Sequence, residues 1–340
     1  MTEAPTSIDD ILARLASAPA VSKAAIDKTS AREATLTKPP GALGRLEEIT
    51  RWLAGWQDRS PPRIDNAAVV VFAGNHGVAT RGVSAYPPEV TAQMVANFEA
   101  GGAAVNQLSR TAGAGFKVIP IDLERPTGDF TEGPAMSEAD FIAAFATGWR
   151  ALEDGVDLLC VGEMGIANTT SAAALCHALF AGKAADWTGP GTGVSGQALS
   201  NKTDVVATAV SLHGSAASGP LDLLRRLGGR ELAAMAGAIL AARYRKCPVL
   251  IDGYVAGAAA AALAVAHPGS LDHVMAAHVS AEPGHRRLLD ALGKSPLLDL
   301  GMRLGEASGA ALAIPIVRAA CACHAGMASF ADAGISEKPA

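Results

Sequence analysis

The chain is poor in aromatic and charged side chains. Phe, Trp and Tyr make up 4% of its 340 residues, and Asp, Glu, Lys and Arg only 18%, with a net charge of -5. A protein that follows a nucleic-acid backbone needs a basic stripe, often interleaved with aromatic faces for the bases. Neither is present, which argues against a nucleic-acid partner. Long apolar runs are also missing. The most apolar stretch, Tyr254 to His267, is Ala-rich and shorter than the ~20 residues needed to cross a bilayer, so no membrane span is expected. The opening MTEAPTSIDDILARL is acidic and polar, unlike a secretory signal. The five cysteines, Cys160, Cys176, Cys247, Cys321 and Cys323, form neither a disulfide framework nor a zinc spacing. A reduced cytoplasm is the expected compartment.

Several catalytic signatures are missing too. There is no Gly-Lys-Thr phosphate loop, no GxGxxG after a strand, no HExxH and no nucleophile elbow. His278, Glu282 and His285 in "HVSAEPGH" lack metal-ligand spacing, and "CACH" (Cys321 to His324) lies in a helical pattern and reads as packing.

What is present is a compact, Ala- and Gly-rich chain with 49% hydrophobic residues. Short apolar runs end in small polar loops: "AAVVVFAGNHG" from Ala67, "FKVIPID" from Phe116, "VDLLCVGEMG" from Val156, "CPVLIDGYVAG" from Cys247 and "LDHVMAAHVSAEPG" from Leu271. Helical stretches lie between them, about Pro88–Arg110, Thr169–Ala181, Thr203–Leu212, Glu231–Arg243 and Ala256–Ala266. Further helices are expected at Ser7–Ala16, with Ser7 as cap, and at Leu43–Trp56. Alternating strands and helices predict an α/β fold, a parallel sheet flanked by helices and Rossmann-like. Residues 66–304 would form this large domain. Residues 1–65 and 305–340, mostly helical, would form a small domain from both chain ends. Ligands of such folds bind beyond the carboxyl ends of the strands.

The polar clusters sit at those ends. "GEMGIANTTSAAAL" (Gly162 to Leu175) leaves a strand and enters a helix capped by Asn168 or Thr169. Its free N–H groups would suit a phosphate, with Gly165 allowing close approach, although an ordinary capped helix fits equally well. "TGPGTGVSGQALSNK" holds Gly191, Thr192, Gly193 and Lys202; it reads as a second phosphate or ribose loop, or as a surface loop with a solvated lysine. "AGNHGVATRGVSAYPPEVTAQM" is long for a strand-to-helix connection. In it, Tyr86 and the following prolines could wall a flat apolar pocket. His76 could be an acid–base group, a ligand or, more often in such loops, a hydrogen-bond anchor. Two glycine-flanked acids remain, Glu163 in "GEMG" and Glu306 in "GEASG". An acid with few polar neighbours has a raised pKa, which suits a general base. The alternative for Glu306 is a carboxylate stabilised by the start of a helix.

Eight stretches resemble one family over nearly the whole chain: "LTKPPGALGRLE", "FAGNHGV", "GVSAYPPEVTAQM", "GEMGIANTTSAAAL", "GPGTGV", "DGYVAGAAA", "SAEPGHRRLL" and "LGEASGAALAIPIVRAA". The family is the nicotinate-nucleotide–dimethylbenzimidazole phosphoribosyltransferases of the cobalamin pathway, the CobT family. The resemblance implies transfer of the 5-phosphoribosyl group from nicotinate mononucleotide to 5,6-dimethylbenzimidazole, giving α-ribazole 5′-phosphate and nicotinate. It implies Glu306, the glutamate of the family's LGE motif, as catalytic base. Glu163 would stabilise positive charge on the ribose or hold its hydroxyls. The phosphate would rest on the glycine loops and the Asn168–Thr169 helix start. Ser84, Tyr86, Gln93 and Leu304 would line the benzimidazole pocket. No metal or cofactor is implied, because a cationic pyridinium leaves as a neutral nitrogen. A homodimer is implied. The chain departs from the family pattern at Ala167, where Gly is common, and at Pro88, often Gln. Enzymes using phosphoribosyl pyrophosphate carry paired acids after an apolar run, whereas "CPVLIDG" offers only Asp252. A non-catalytic sensor of the same fold is disfavoured by the presence of Glu306, and an oxidoreductase by the missing dinucleotide fingerprint.

Overall fold

The computed structural model describes residues 3–336. Three helices open the chain: α1 (Ile8–Ala16), α2 (Lys23–Glu33) and α3 (Arg45–Gln57). Ser7 caps α1, its Oγ accepting from the Asp10 N–H at 3.0 Å, as its position before two acids predicts. The sheet begins with β1 (Ala67–Ala73), followed by α4 (Val90–Glu99), α5 (Ala104–Thr111), β2 (Gly115–Pro120), α6 (Glu138–Ala151) and β3 (Leu158–Met164). Then come α7 (Asn168–Phe180), α8 (Ala184–Trp187), α9 (Gly196–His213), α10 (Pro220–Leu227) and α11 (Arg230–Tyr244). The chain continues through β4 (Val249–Ile251), α12 (Tyr254–Ala266), β5 (Val274–Ala276), α13 (Pro283–Ala291), α14 (Ser308–Gly326) and α15 (Phe330–Ala333).

All five apolar runs become strands of one parallel sheet, in the order β2-β1-β3-β4-β5. Burial on both faces explains the unbroken apolar character of β1 and β3: Val69, Val71, Phe72 and Leu158 to Val161 are fully enclosed, whereas the edge strand β2 is half exposed and carries Lys117. After β1 the chain steps outward to β2 and then returns to β3 on the other side. A crevice therefore opens where β1 and β3 end, and such reversal points are where doubly wound sheets bind ligands.

One sheet face carries α7, α11 and α12 in a single core with α6 and α10. α11 and α12 are apolar almost all round, as helices sunk in a core must be. Small residues allow very close approach. A Cβ added at Gly148 of α6 would lie 1.7 Å from the Ala234 carbonyl oxygen, and one at Gly237 of α11 would lie 2.0 Å from that of Phe145. The other face is covered by α3, α5 and α14, whose Ile49, Leu53, Val105, Ala310 and Ile314 share a core with Val69, Val71 and Cys160. α14 has 19 residues and is, by length and composition, the described helix that could cross a bilayer; half of its most apolar window is buried within the protein. It is longer than the Tyr254–His267 run that stands out by composition.

Several helix bounds differ from expectation. The stretch Pro88–Arg110 is two helices, because Gly101 takes a left-handed φ of +77° between α4 and α5. α9 starts at Gly196 rather than near Asn201 or Thr203. α7 starts at Asn168, and its N-cap is Ala167, not Asn168 or Thr169. α6, α8, α10 and α13 fall outside the expected helical stretches, and α2 lies in the mostly helical 1–65 segment without a helix of its own expected there.

Candidate active site

The strand ends and the α14 start enclose a cavity of about 490 Å³. Glu163 reaches it from the last turn of β3, Glu306 from the loop before α14, and Glu282 from the segment after β5. Gly165, Asn168, Thr169, Gly191, Thr192, Tyr86 and Leu304 also line it, as expected. Ser84, Gln93, Gly193 and Lys202 do not. Ser84 sits one step behind, its hydroxyl 2.9 Å from that of Thr192. Gln93 is exposed on α4, where its neighbour Met94 faces the cavity instead. Gly193 belongs to the turn after Gly191, with a φ of +119°.

Glu306 is delivered by unusual backbone. Gly305, Glu306 and Ala307 all take left-handed φ values, 82°, 61° and 59°. For the two non-glycine residues this costs about 1–2 kcal/mol each and persists only where surrounding structure enforces it. The enforcement is contact with β3. A Cβ on Gly162 would stand 2.1 Å from the Ala307 nitrogen, so only glycine lets the α14 start press on the strand. Gly305 lies equally close to Glu163: a Cβ there would meet Glu163 Oε1 at 2.5 Å. The two acids are thus neighbours. Among the described residues none donates a hydrogen bond to the Glu306 carboxylate. Burial raises its pKa to about 7, helped by the charge of Asp252. Glu163 is raised to about 8, mainly by burial, with the charges of Glu231, Asp252 and Glu306 adding to it and the Asn168 amide opposing.

The Asn168 side chain donates to Glu163 Oε2 rather than capping its own helix. The cap role falls to Ala167, which sits at φ 76° with its methyl group buried. That conformation favours glycine, which gives the departure at this position a physical meaning. The N-terminus of α7 thus reaches the cavity through Asn168 and Thr169, beside a buried cation; its Asn168 and Thr170 N–H groups donate to the Gly165 and Ala167 carbonyls at 3.2 and 2.9 Å. Lys202 is fully enclosed, not solvated. Its ammonium donates to Thr169 Oγ1 at 2.8 Å and to the Gly189 carbonyl at 3.0 Å. Burial lowers its pKa to about 8, opposed by the charge of Glu282. Glu282 accepts the Gly191 N–H at 2.9 Å, and Arg303 donates to the Gly191 carbonyl at 3.1 Å. Arg303 lines the cavity and Lys202 lies just behind it at Gly191, with the Glu282 carboxylate beside both; Glu163 and Glu306 add two further acids, and Tyr86, Val90, Met94 and Leu304 form an apolar mouth.

His76 is a hydrogen-bond anchor. Its Nε2 lies 2.5 Å from Glu231 Oε1 and its Nδ1 2.9 Å from Ser171 Oγ, all buried. His324 is paired with Glu33 at 2.6 Å, so the "CACH" histidine ties α14 to α2. Sequence reasoning missed Met94, Tyr254, Glu282 and Arg303 as cavity residues, and Asp252 behind them. The signal for Asp252 and Glu282 was available, since both are lone acids at the carboxyl ends of predicted strands.

Fold and cleft define a class: a Rossmann-like α/β enzyme whose helix start, open to an anion, faces a pair of buried carboxylates. Comparison with known proteins narrows it. A family profile described as phosphoribosyltransferase matches residues 18–335. Nicotinate-nucleotide–dimethylbenzimidazole phosphoribosyltransferases of Ruegeria sp. (strain TM1040) and Mesorhizobium japonicum are 57% and 58% identical over 332 residues, covering 98% of this chain and 98% and 99% of theirs. The crystal structure of CobT from Thermus thermophilus superposes with a TM-score of 0.86 at 41% identity, covering 93% of this chain and all of that one. The chain belongs to this phosphoribosyltransferase family.

Proposed function

We propose that the protein transfers the 5-phosphoribosyl group of nicotinate mononucleotide to 5,6-dimethylbenzimidazole, yielding α-ribazole 5′-phosphate and nicotinate for the lower ligand of cobalamin. The observation that carries this reading is Glu306: a carboxylate with no hydrogen-bond donor among the described residues, raised to about 7, between an apolar mouth and a second acid. An azole N–H needs a base of that strength at neutral pH. The apolar mouth suits a flat heteroaromatic acceptor, and the α7 start with Lys202, Thr169, Gly191, Thr192 and Arg303 suits the donor's phosphate.

The reaction follows from these positions. Glu306 takes the N–H proton of the benzimidazole while the other ring nitrogen attacks C1′. The C1′–N bond to the pyridinium breaks, and its electron pair stays on the departing nicotinate, which leaves with a neutral nitrogen. Attack from the opposite face inverts β to α. Positive charge grows on the ribose, and Glu163, fixed by Asn168, is placed to oppose it in its ionised form, which the approach of the cationic donor favours. We further assign residues 1–65 and 305–340, of which 1–2 and 337–340 lie outside the described residues, to a unit that carries Glu306 over the 66–304 body. A cytoplasmic homodimer is proposed on the family resemblance.

The test is direct. Purified protein is mixed with nicotinate mononucleotide and dimethylbenzimidazole, and nicotinate and the α-ribotide are followed by chromatography and mass spectrometry. Both products are expected in equal amounts. Folded protein that binds both substrates and yields neither product would refute the reaction. Nicotinate riboside, lacking the phosphate, should be a far poorer donor; equal use would remove the phosphate from the α7 start.

A further inference from the structure

Glu306 lies in an awkward place for a base. It sits two residues before α14, and the positive end of a 19-residue helix favours the ionised form of a nearby carboxylate. Left alone, that end would make Glu306 a stronger acid and a weaker base. α14 has no cap of its own, since the residue at its N-cap is Ala307. The cap comes from another element. Asp252, immediately after β4, accepts the Ala310 N–H at 3.0 Å and is 2% exposed. The same Oδ1 lies 3.4 Å from His278 Nε2, and the His278 ring packs so tightly on Gly309 that a Cβ there would meet it at 2.1 Å.

We infer that Asp252 is a positioning residue for the proposed reaction: it holds the first turn of α14 and cancels the positive end of that helix, so that Glu306 keeps its proton affinity. The inference rests on the reading of Glu306 as the base. The groups around Glu306 are Glu163 from β3, Asp252 from β4, His278 and Glu282 from the segment after β5, Arg303 from its own loop, and Lys202 of α9 behind Gly191. Among these groups Asp252 is the acid that accepts a hydrogen bond from the helix start itself. Its charge also adds to the upward shift of both Glu306 and Glu163.

The test separates charge from capping. Asp252→Asn keeps an oxygen that can accept from Ala310 but loses the negative charge, whereas Asp252→Ala loses both. Full-length protein carrying [5-13C]glutamate is titrated by NMR, with the Glu306 signal assigned by its loss in Glu306→Gln. In Asp252→Asn the Glu306 midpoint should fall by about one pH unit, the acid limb of kcat/KM should move with it, and thermal melting should stay near the parent value. Asp252→Ala should show the same electrostatic shift together with a lower melting temperature. An unmoved Glu306 midpoint in folded Asp252→Asn would overturn the inference and leave Asp252 a helix cap only. Should neither variant fold, Asp252→Glu, which keeps the charge, still decides: the Glu306 midpoint should stay near the parent value, and a fall of about one pH unit would overturn the inference. Turnover that survives Glu306→Gln would instead refute the proposed base, a separate failure, because the NMR midpoints do not depend on catalysis.

Discussion

Gly162→Ala probes how the site is built without touching any reacting group. The added methyl would stand 2.1 Å from the backbone nitrogen of Ala307 and 2.6 Å from its Cα. Neither atom belongs to a flexible side chain, and Cβ contacts below 3.0 Å essentially never occur. The α14 start must therefore withdraw from β3 by about 0.9 Å or more, carrying the Gly305–Ala307 segment with it. Overpacking of this kind costs about 1–3 kcal/mol of stability. The effect on rate should be larger, because misplacing a catalytic group by ~1 Å typically costs about 10²-fold. Thermal melting and kcat, measured on the same preparation with nicotinate mononucleotide and dimethylbenzimidazole, separate the two effects. A modest loss in melting temperature with a kcat lower by about two orders of magnitude is expected. Turnover within a few-fold of the parent in a folded variant would refute the argument that β3 contact sets the position of Glu306.

Four further outcomes are expected. Glu306→Gln should keep fold and donor binding but lose roughly two to four orders of magnitude in rate; near-parent turnover removes Glu306 from the mechanism. Glu163 has its pKa raised from 4.5 to about 8, so the folded chain holds this proton more tightly than the unfolded one. Its stabilising contribution is complete below about pH 4.5 and is lost as pH rises through about 8. Glu163→Gln should therefore melt higher relative to the parent at about pH 9 than at about pH 6, while losing activity; a melting difference independent of pH would contradict the shift. Lys202→Met should raise the donor KM by about 10- to 100-fold, the weight of a charged hydrogen bond, with the acceptor KM little changed, and similar effects on both would argue against a phosphate role. Ala167→Gly should relieve left-handed strain and stabilise by up to about 1 kcal/mol after the added chain entropy of glycine is subtracted; a lower melting temperature would mean that packing of the methyl outweighs its strain.

The sheet was legible because its inner strands are buried on both faces, so Val69 to Phe72 and Leu158 to Val161 stand out as short apolar runs bounded by glycine loops. α11 and α12 were legible for the same reason. α2, KAAIDKTSARE, was not, because few of its side chains are apolar and it is held in place through the Glu33 pairing with His324 of α14. α6 did carry a signal that went unused, namely Ser137 followed by Glu138 and Asp140; Ser137 Oγ accepts the Asp140 N–H at 3.1 Å. In the cavity, the glycine-flanked acids marked themselves, but the role proposed for Glu306 came from the family resemblance. Lys202 could not be placed from sequence, because its ammonium is enclosed only when the loop leading into its own helix folds back, bringing the Gly189 carbonyl to it, and docks on Thr169 of α7. Asp252 looked like an isolated acid until β4 and α14 came together.

The arrangement of charge explains why these costly features coexist. Glu306 adds to the proton affinity of Glu163, while Lys202 and Arg303 gather at the Gly191 loop beside Glu282. Two buried acids and two strained residues oppose folding, and the close-packed small-residue helices on the far face of the sheet offset that cost. What the strain secures is a field with direction. In the proposed reaction the donor arrives with a positive ring nitrogen and a negative phosphate, which the Glu163 and Glu306 carboxylates and the cations at the Gly191 loop can match in turn. Positive charge then moves from the ring nitrogen onto the ribose, still facing the carboxylates, while the acceptor gives up its proton to Glu306. Once the new bond forms, the ring nitrogen of nicotinate is neutral and the attraction that held it is gone. A cleft negative on one side can therefore favour the donor and the transition state over the departing ring, which a neutral apolar pocket of the same shape could not do.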